Sequence, residues 1–114
     1  MYNRNLHTKN SGANKVNQYL VKEIMDATPE QLLIKVYNFA ISSCQKHDMV
    51  KTNNAIQELI NGLRFDDDET KELATGLLRL YQYCQDQMRA NNYDIVIKIL
   101  TELRQSWIDA ISKM

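Results

Sequence analysis

Chain breakers are nearly missing from this sequence. It has 114 residues, one proline (Pro29) and three glycines (Gly12, Gly62, Gly76). With 44% apolar residues, so few breakers favour long helices over many short strands. Charge of one sign is missing too, since 14 basic side chains meet 14 acidic ones and the net charge is zero. Basic and acidic residues are interleaved, which reads as solvated helix faces and argues against a dedicated nucleic-acid binder. No apolar run reaches the ~18 residues needed to cross a bilayer. Arg4, Lys9 and Lys15 lie near the start but no apolar stretch follows them, so no secretory signal is read and the protein is expected in the cytoplasm. The two cysteines, Cys44 and Cys84, then read as free buried thiols, although one bridge between them is open in principle.

The motifs of catalysis are also wanting. A di-iron bundle needs a Glu-x-x-His pair on each of two helices, and none occurs. There is no Cys-x-x-Cys-His, no glycine-rich phosphate loop and no Gly-x-Ser-x-Gly elbow. Cys44 and His47 are three apart and able to share one ion, but two ligands make a poor zinc site. Phe65-Asp66-Asp67-Asp68-Glu69 lacks the alternating oxygens and distal glutamate of a calcium loop. The expectation is a non-enzymatic protein with no cofactor and no metal.

What is present is helical periodicity over one domain's length of chain. Residues 1–18 are polar and rich in asparagine (Asn3, Asn5, Asn10, Asn14, Asn17) and read as a flexible arm. A short helix is expected to begin near Asn17 and to carry Tyr19, Leu20, Ile24 and Met25. Thr28-Pro29-Glu30-Gln31 is a helix start, in which Thr28 caps, Pro29 takes the first helical position and Gln31 reaches back. Leu33, Val36, Tyr37, Ala40 and Cys44 then recur at threes and fours, predicting a helix from about 29 to 47. Asp48 caps a second helix carrying Ile56, Leu59, Ile60 and Leu63, with Gly62 at a close contact or near an end. The aspartates at 66–68 suit the positive end of a third helix, with Leu73, Leu77, Leu80, Tyr81, Cys84 and Met88 on its inner stripe. Asn91-Asn92 stops that helix and starts a fourth, carrying Val96, Ile99, Leu100, Leu103, Trp107, Ala110 and Ile111. Four helices of about five turns joined by short links predict an all-α, antiparallel up-down-up-down four-helix bundle. The expected division is 1–18 as arm and 19–114 as a single helical-bundle domain.

The apolar stripes are wider than such a bundle needs. Ile34 and Ile41 lie beside the first stripe, and with Tyr37 they broaden it. Ile95, Ile97 and Ile108 flank the fourth stripe, Ile97 and Ile108 on one face, and Tyr83 lies outside the third. Each alone reads as core. Together they imply an apolar groove for an amphipathic helix or an extended apolar segment. Tyr19, Tyr37, Tyr81 and Tyr83 suit such a groove, each with a flat apolar face and a hydroxyl that can stay wet.

Four stretches carry a resemblance. The first is Tyr19, then Ala27-Thr28-Pro29-Glu30-Gln31-Leu32 and Val36-Tyr37-Asn38. The second is Ile56-Gln57-Glu58-Leu59 with Leu63. The third is Leu80-Tyr81-Gln82-Tyr83, Met88 and Ala90-Asn91, and the fourth is Leu103-Arg104-Gln105-Ser106-Trp107. In this order they resemble the flagellar secretion chaperones known as FliS, with departures at Phe39, where a small residue is usual, and at Asp86-Gln87, where a basic pair is common. The resemblance implies a four-helix bundle with a short extra N-terminal helix. It implies that the chain binds the disordered C-terminal region of flagellin one-to-one in the cytoplasm, blocks premature polymerisation and presents flagellin to the flagellar type III export gate. It also implies that the N-terminal arm can cover the groove. The expected flagellin-binding residues are Tyr19, Ile34, Tyr37, Ile41, Tyr81, Tyr83, Ile97 and Ile108, with Trp107 mainly in the core. The competing reading is a helical adaptor or regulator with a different amphipathic-helix partner, and neither nucleic-acid binding nor membrane insertion is expected.

Overall fold

The computed structural model describes residues 27–114. The expected arm, the extra helix near Asn17 and Tyr19 lie outside the described residues. Contacts group the chain into Met1–Leu32 and Leu33–Met114. In the first unit, the described residues form a capping box. The Gln31 amide donates to Thr28 Oγ1 at 3.1 Å and the Thr28 amide to Gln31 Oε1 at 3.0 Å. Each satisfies a donor that the first helical turn leaves unpaired. Pro29 is the first residue of the helix that follows.

The described residues form four helices and no strand: α1 Pro29–Gln45, α2 Met49–Asn61, α3 Asp68–Arg89 and α4 Tyr93–Ser112. Two of the three links share one construction. At the end of α1, His47 is left-handed at φ 57, the Asp48 amide donates to the Ser43 carbonyl and the His47 amide to that of Cys44. At the end of α3, Asn91 is left-handed at φ 62, with Asn92 donating to Gln87 and Asn91 to Met88. Both are Schellman closures, which satisfy the last carbonyls and reverse the chain within three residues. Asp48 then caps α2 by accepting from the Lys51 amide at 3.1 Å. Gly62 is the C-cap of α2, so its place is a helix end. Asp67 caps α3 through the Glu69 amide, with Asp68 and Glu69 in the first turn where negative charge is favoured.

Contact order along the chain fixes the directions. Tyr37 meets Tyr81 and Cys44 meets Met88, so α1 and α3 run parallel, facing one another across the core. Tyr37 meets Trp107, Asn38 meets Arg104 and Cys44 meets Tyr93, so α1 and α4 run antiparallel. α3 and α4 are then antiparallel as well, and the three-residue link after α1 turns α2 back on it. The protein is an antiparallel four-helix bundle. Its core holds Tyr37, Ala40, Ile41 and Cys44 of α1, Ala55, Ile56 and Leu59 of α2, Leu77, Tyr81, Cys84 and Met88 of α3, and Val96 and Leu100 of α4. Cys44 and Cys84 are free and buried.

Two sequence expectations need correction. The helices are unequal, because α2 has 13 residues and α3 has 22. Leu73 was placed on the inner stripe of α3 but is 58% exposed. Asn53 and Gln85 set α2 level with the C-terminal half of α3, so the short α2 has ended before the level of Leu73.

Candidate functional site

The centre of the bundle is polar at one point. The Tyr37 and Tyr81 hydroxyls share a short hydrogen bond, and the Trp107 indole N–H donates to Tyr37 Oη at 3.0 Å. The two rings are tilted at 56° with centroids 6.5 Å apart. Both tyrosines are fully buried, so each hydroxyl needs a partner within the protein. Burial, and for Tyr37 also the neighbouring Tyr81, pushes both phenols above their ordinary range. Burial pushes the Cys84 thiol up to about 12 and also raises Cys44, to which the Asp94 carboxylate adds.

Beside this cluster runs the seam between α1 and α4. On α1, Ile34, Asn38 and Ile41 lie at i, i+4 and i+7. On α4, Ile97, Thr101, Arg104 and Ile108 lie at i, i+4, i+7 and i+11, one helical flank. Arg104 Nη1 donates to Asn38 Oδ1 at 2.7 Å and ties the two lines at mid-length. Because α1 and α4 run antiparallel, Ile34 falls on the Ile108 side of that bridge and Ile41 on the Ile97 side. Ile41 is sealed, Ile34 and Ile97 are half-buried, and Ile108 is 38% exposed. Arg104 uses one of its five N–H donors on a neutral amide and has no ion pair among the described residues. The seam is therefore a partly open apolar line with a cationic donor at its middle.

The sequence matches the family described as flagellar protein FliS over residues 12–114. The chain belongs to the FliS family. Membership implies a flagellar export chaperone, and FliS is a family of chaperones, not of enzymes. Among curated proteins and among solved structures, nothing matches the chain. No helix among the described residues is long and apolar enough to cross a membrane, and no group of three or more potential metal ligands occurs there.

Against this FliS fold, the residues singled out from sequence fall in three places. Tyr37, Ile41 and Tyr81 are core residues, packed where α1 faces α3. Ile34, Ile97 and Ile108 flank the α1–α4 seam. Tyr83 is 44% exposed and lies apart, near the α3–α4 link with His47 and Tyr93. Trp107 is only half-buried, its N–H anchored on Tyr37 and its ring packed against the core. The Asn38–Arg104 bridge was missed, although Arg104 shares a helical flank with Ile97 and Ile108. A polar clasp between α2 and α3 was missed as well. Gln85 Nε2 donates to the Asn53 carbonyl and to Gln57 Oε1, and Asn53 Nδ2 returns a bond to the Gln85 carbonyl. A glutamine on a core stripe gives no sequence signal of its partner.

Proposed function

We propose that this chain is an export chaperone holding the disordered C-terminal region of flagellin in the cytoplasm, one-to-one, so that flagellin cannot polymerise before the flagellar type III export gate receives it. Residues 19–114 are the chaperone domain in this reading, and residues 1–18 are its arm. The observation that carries it is the α1–α4 seam, where Ile34, Ile97 and Ile108 remain unsealed. A client that folds on binding gives up ordering free energy, so it needs a large apolar contact on a surface that does not itself reorganise. The Tyr37–Tyr81–Trp107 cluster supports such a surface by fixing α1, α3 and α4 from behind. Arg104 supplies free N–H donors in mid-seam for client carbonyls.

The test is titration with a peptide from the C-terminal region of the cognate flagellin. One-to-one binding is expected, with a negative heat-capacity change and a gain of helix in the peptide. Ile108→Asp, at an exposed seam position, is expected to weaken binding about tenfold or more, leaving the melting temperature near that of the unaltered protein. Absence of binding at micromolar peptide removes the chaperone reading. An unaffected Kd in Ile108→Asp removes the seam.

A further inference from the structure

The other flank of α4 carries a second surface, away from the α1–α4 seam, and of the residues expected to bind flagellin only Tyr83 reaches it. A cleft of about 550 Å³ opens at the α3–α4 link, walled by His47, Tyr83, Gln87, Asn91, Tyr93 and Asp94 among others. Its chemistry is one-sided. No lysine or arginine lines it, and Asp94, its one carboxylate, has no ion pair among the described residues. Gln87 Oε1 accepts from Asn92 Nδ2 at 2.7 Å and Asn91 Oδ1 accepts from Tyr93 Oη at 2.8 Å. Each amide oxygen keeps a second lone pair. His47 stacks on Tyr93 with centroids 4.1 Å apart and planes 12° apart, so this wall is rigid and aromatic. Tyr83 offers a further exposed ring. Flat π faces, one carboxylate and several spare acceptors suit a planar cation with many N–H donors, which is an arginine guanidinium.

The cleft is the end of a longer apolar track. On α3, Leu73, Gly76, Leu80, Tyr83 and Gln87 lie at i, i+3, i+7, i+10 and i+14, one helical line about 21 Å long. Leu73 and Tyr83 are exposed and Leu80 half-buried. A Cβ at Gly76 meets nothing within 4 Å, so a second backbone can approach there. Ile95 of α4 lines the cleft beside Tyr83, Ile99 lies one turn further along the same flank of α4, and both are half-buried. We infer that the outer face of α3 and α4 docks a short amphipathic helix, its apolar side on the Leu73–Tyr83 track and an arginine seated in the cleft against Asp94 and Tyr83. Val96 and Leu100, both in the core, separate this face from the Ile97–Ile108 seam, so a second partner can occupy it while flagellin fills the seam.

The test uses two stapled helical peptides of about 15 residues, long enough for the track. Each carries leucines at i, i+3, i+7 and i+10 and one arginine, at the N-terminal end in one and the C-terminal end in the other. Twins carry citrulline, the neutral isostere, instead. One arginine peptide is expected to bind saturably, about tenfold tighter than its twin. Asp94→Asn should erase that preference, and Leu73→Glu should weaken both peptides. The flagellin peptide should keep its affinity in both variants. Leu73 is exposed and Asp94→Asn is isosteric and removes only a first-turn helix charge, so circular dichroism melts should fall by at most a few degrees. Failure of both arginine peptides, equal binding of the citrulline twin, or no effect of Asp94→Asn overturns the inference. Loss of flagellin affinity in Leu73→Glu overturns the separateness of the two surfaces. Loss of flagellin binding in the unaltered protein bears only on the chaperone reading.

Discussion

The Tyr37 hydroxyl is the branch point of the buried cluster, receiving the Trp107 indole N–H and sharing a hydrogen with Tyr81. The two phenols are therefore not equivalent. Tyr81→Phe leaves Tyr37 Oη accepting from the Trp107 N–H. Tyr37→Phe leaves the fully buried Tyr81 hydroxyl with only the Trp107 N–H, which is aimed at Tyr37, at a cost of about 1–3 kcal/mol. The half-buried Trp107 N–H can still reach water, which limits the loss on that side. The expected order in urea unfolding is Tyr37→Phe well below Tyr81→Phe, with the double variant less destabilised than the sum, because removing both partners leaves nothing stranded. Additive losses would show that the hydroxyls do not depend on one another. Spacing alone cannot say which flank of a stripe faces a neighbour, so the sequence pattern by itself puts Tyr37 and Tyr81 on a groove. Tyr81 and Tyr83 are two residues apart, yet one is sealed between helices and the other meets solvent.

Helix ends were the most legible feature of the chain, because capping is local chemistry. Thr28, Asp48 and Asp67 all accept from amides of the first turn they precede. Thr28→Ala is expected to lower stability by about 1 kcal/mol, read as a fall in the urea midpoint at constant slope. The lengths were less legible, since periodicity marks a face and not the point where a neighbour stops. Leu73 keeps the spacing of the inner stripe but lies beyond the reach of α2, and only the tertiary arrangement reveals it. Gly76 is exposed and mid-helix with open space around its missing side chain. Gly76→Ala should therefore stabilise the fold by about 0.5–1 kcal/mol through the restricted unfolded chain and better helix propensity. A melting temperature that falls in this variant would mean that another group occupies that space.

At the scale of the whole bundle, the class and chain direction followed from four stripes and short links, whereas the seam needed coordinates. Ile34 and Ile108 sit 74 positions apart, and only the antiparallel register of α1 and α4 sets them on one side of the Asn38–Arg104 bridge. The same packing seals four weak acids, which sets how the molecule responds to alkali. Cys44, Cys84, Tyr37 and Tyr81 all ionise less readily in the folded bundle, chiefly because burial penalises the anion. Unfolded, the thiols titrate near 9.0 and the phenols near 10.0. Above pH 9 the unfolded chain therefore releases protons that the folded chain keeps. With fewer protons bound to the unfolded state, stability falls as pH rises. The contribution is fully present below pH 9 and for Cys84 is lost by about 12. The urea midpoint is expected to hold steady from pH 7 to about 8.5 as far as these groups decide it, then to fall. Replacing both cysteines by alanine should delay the onset of that fall toward pH 10, where the phenols begin. A midpoint independent of pH from 9 to 11 would mean that water reaches all four groups in the folded state, and the sealed core described here would not exist.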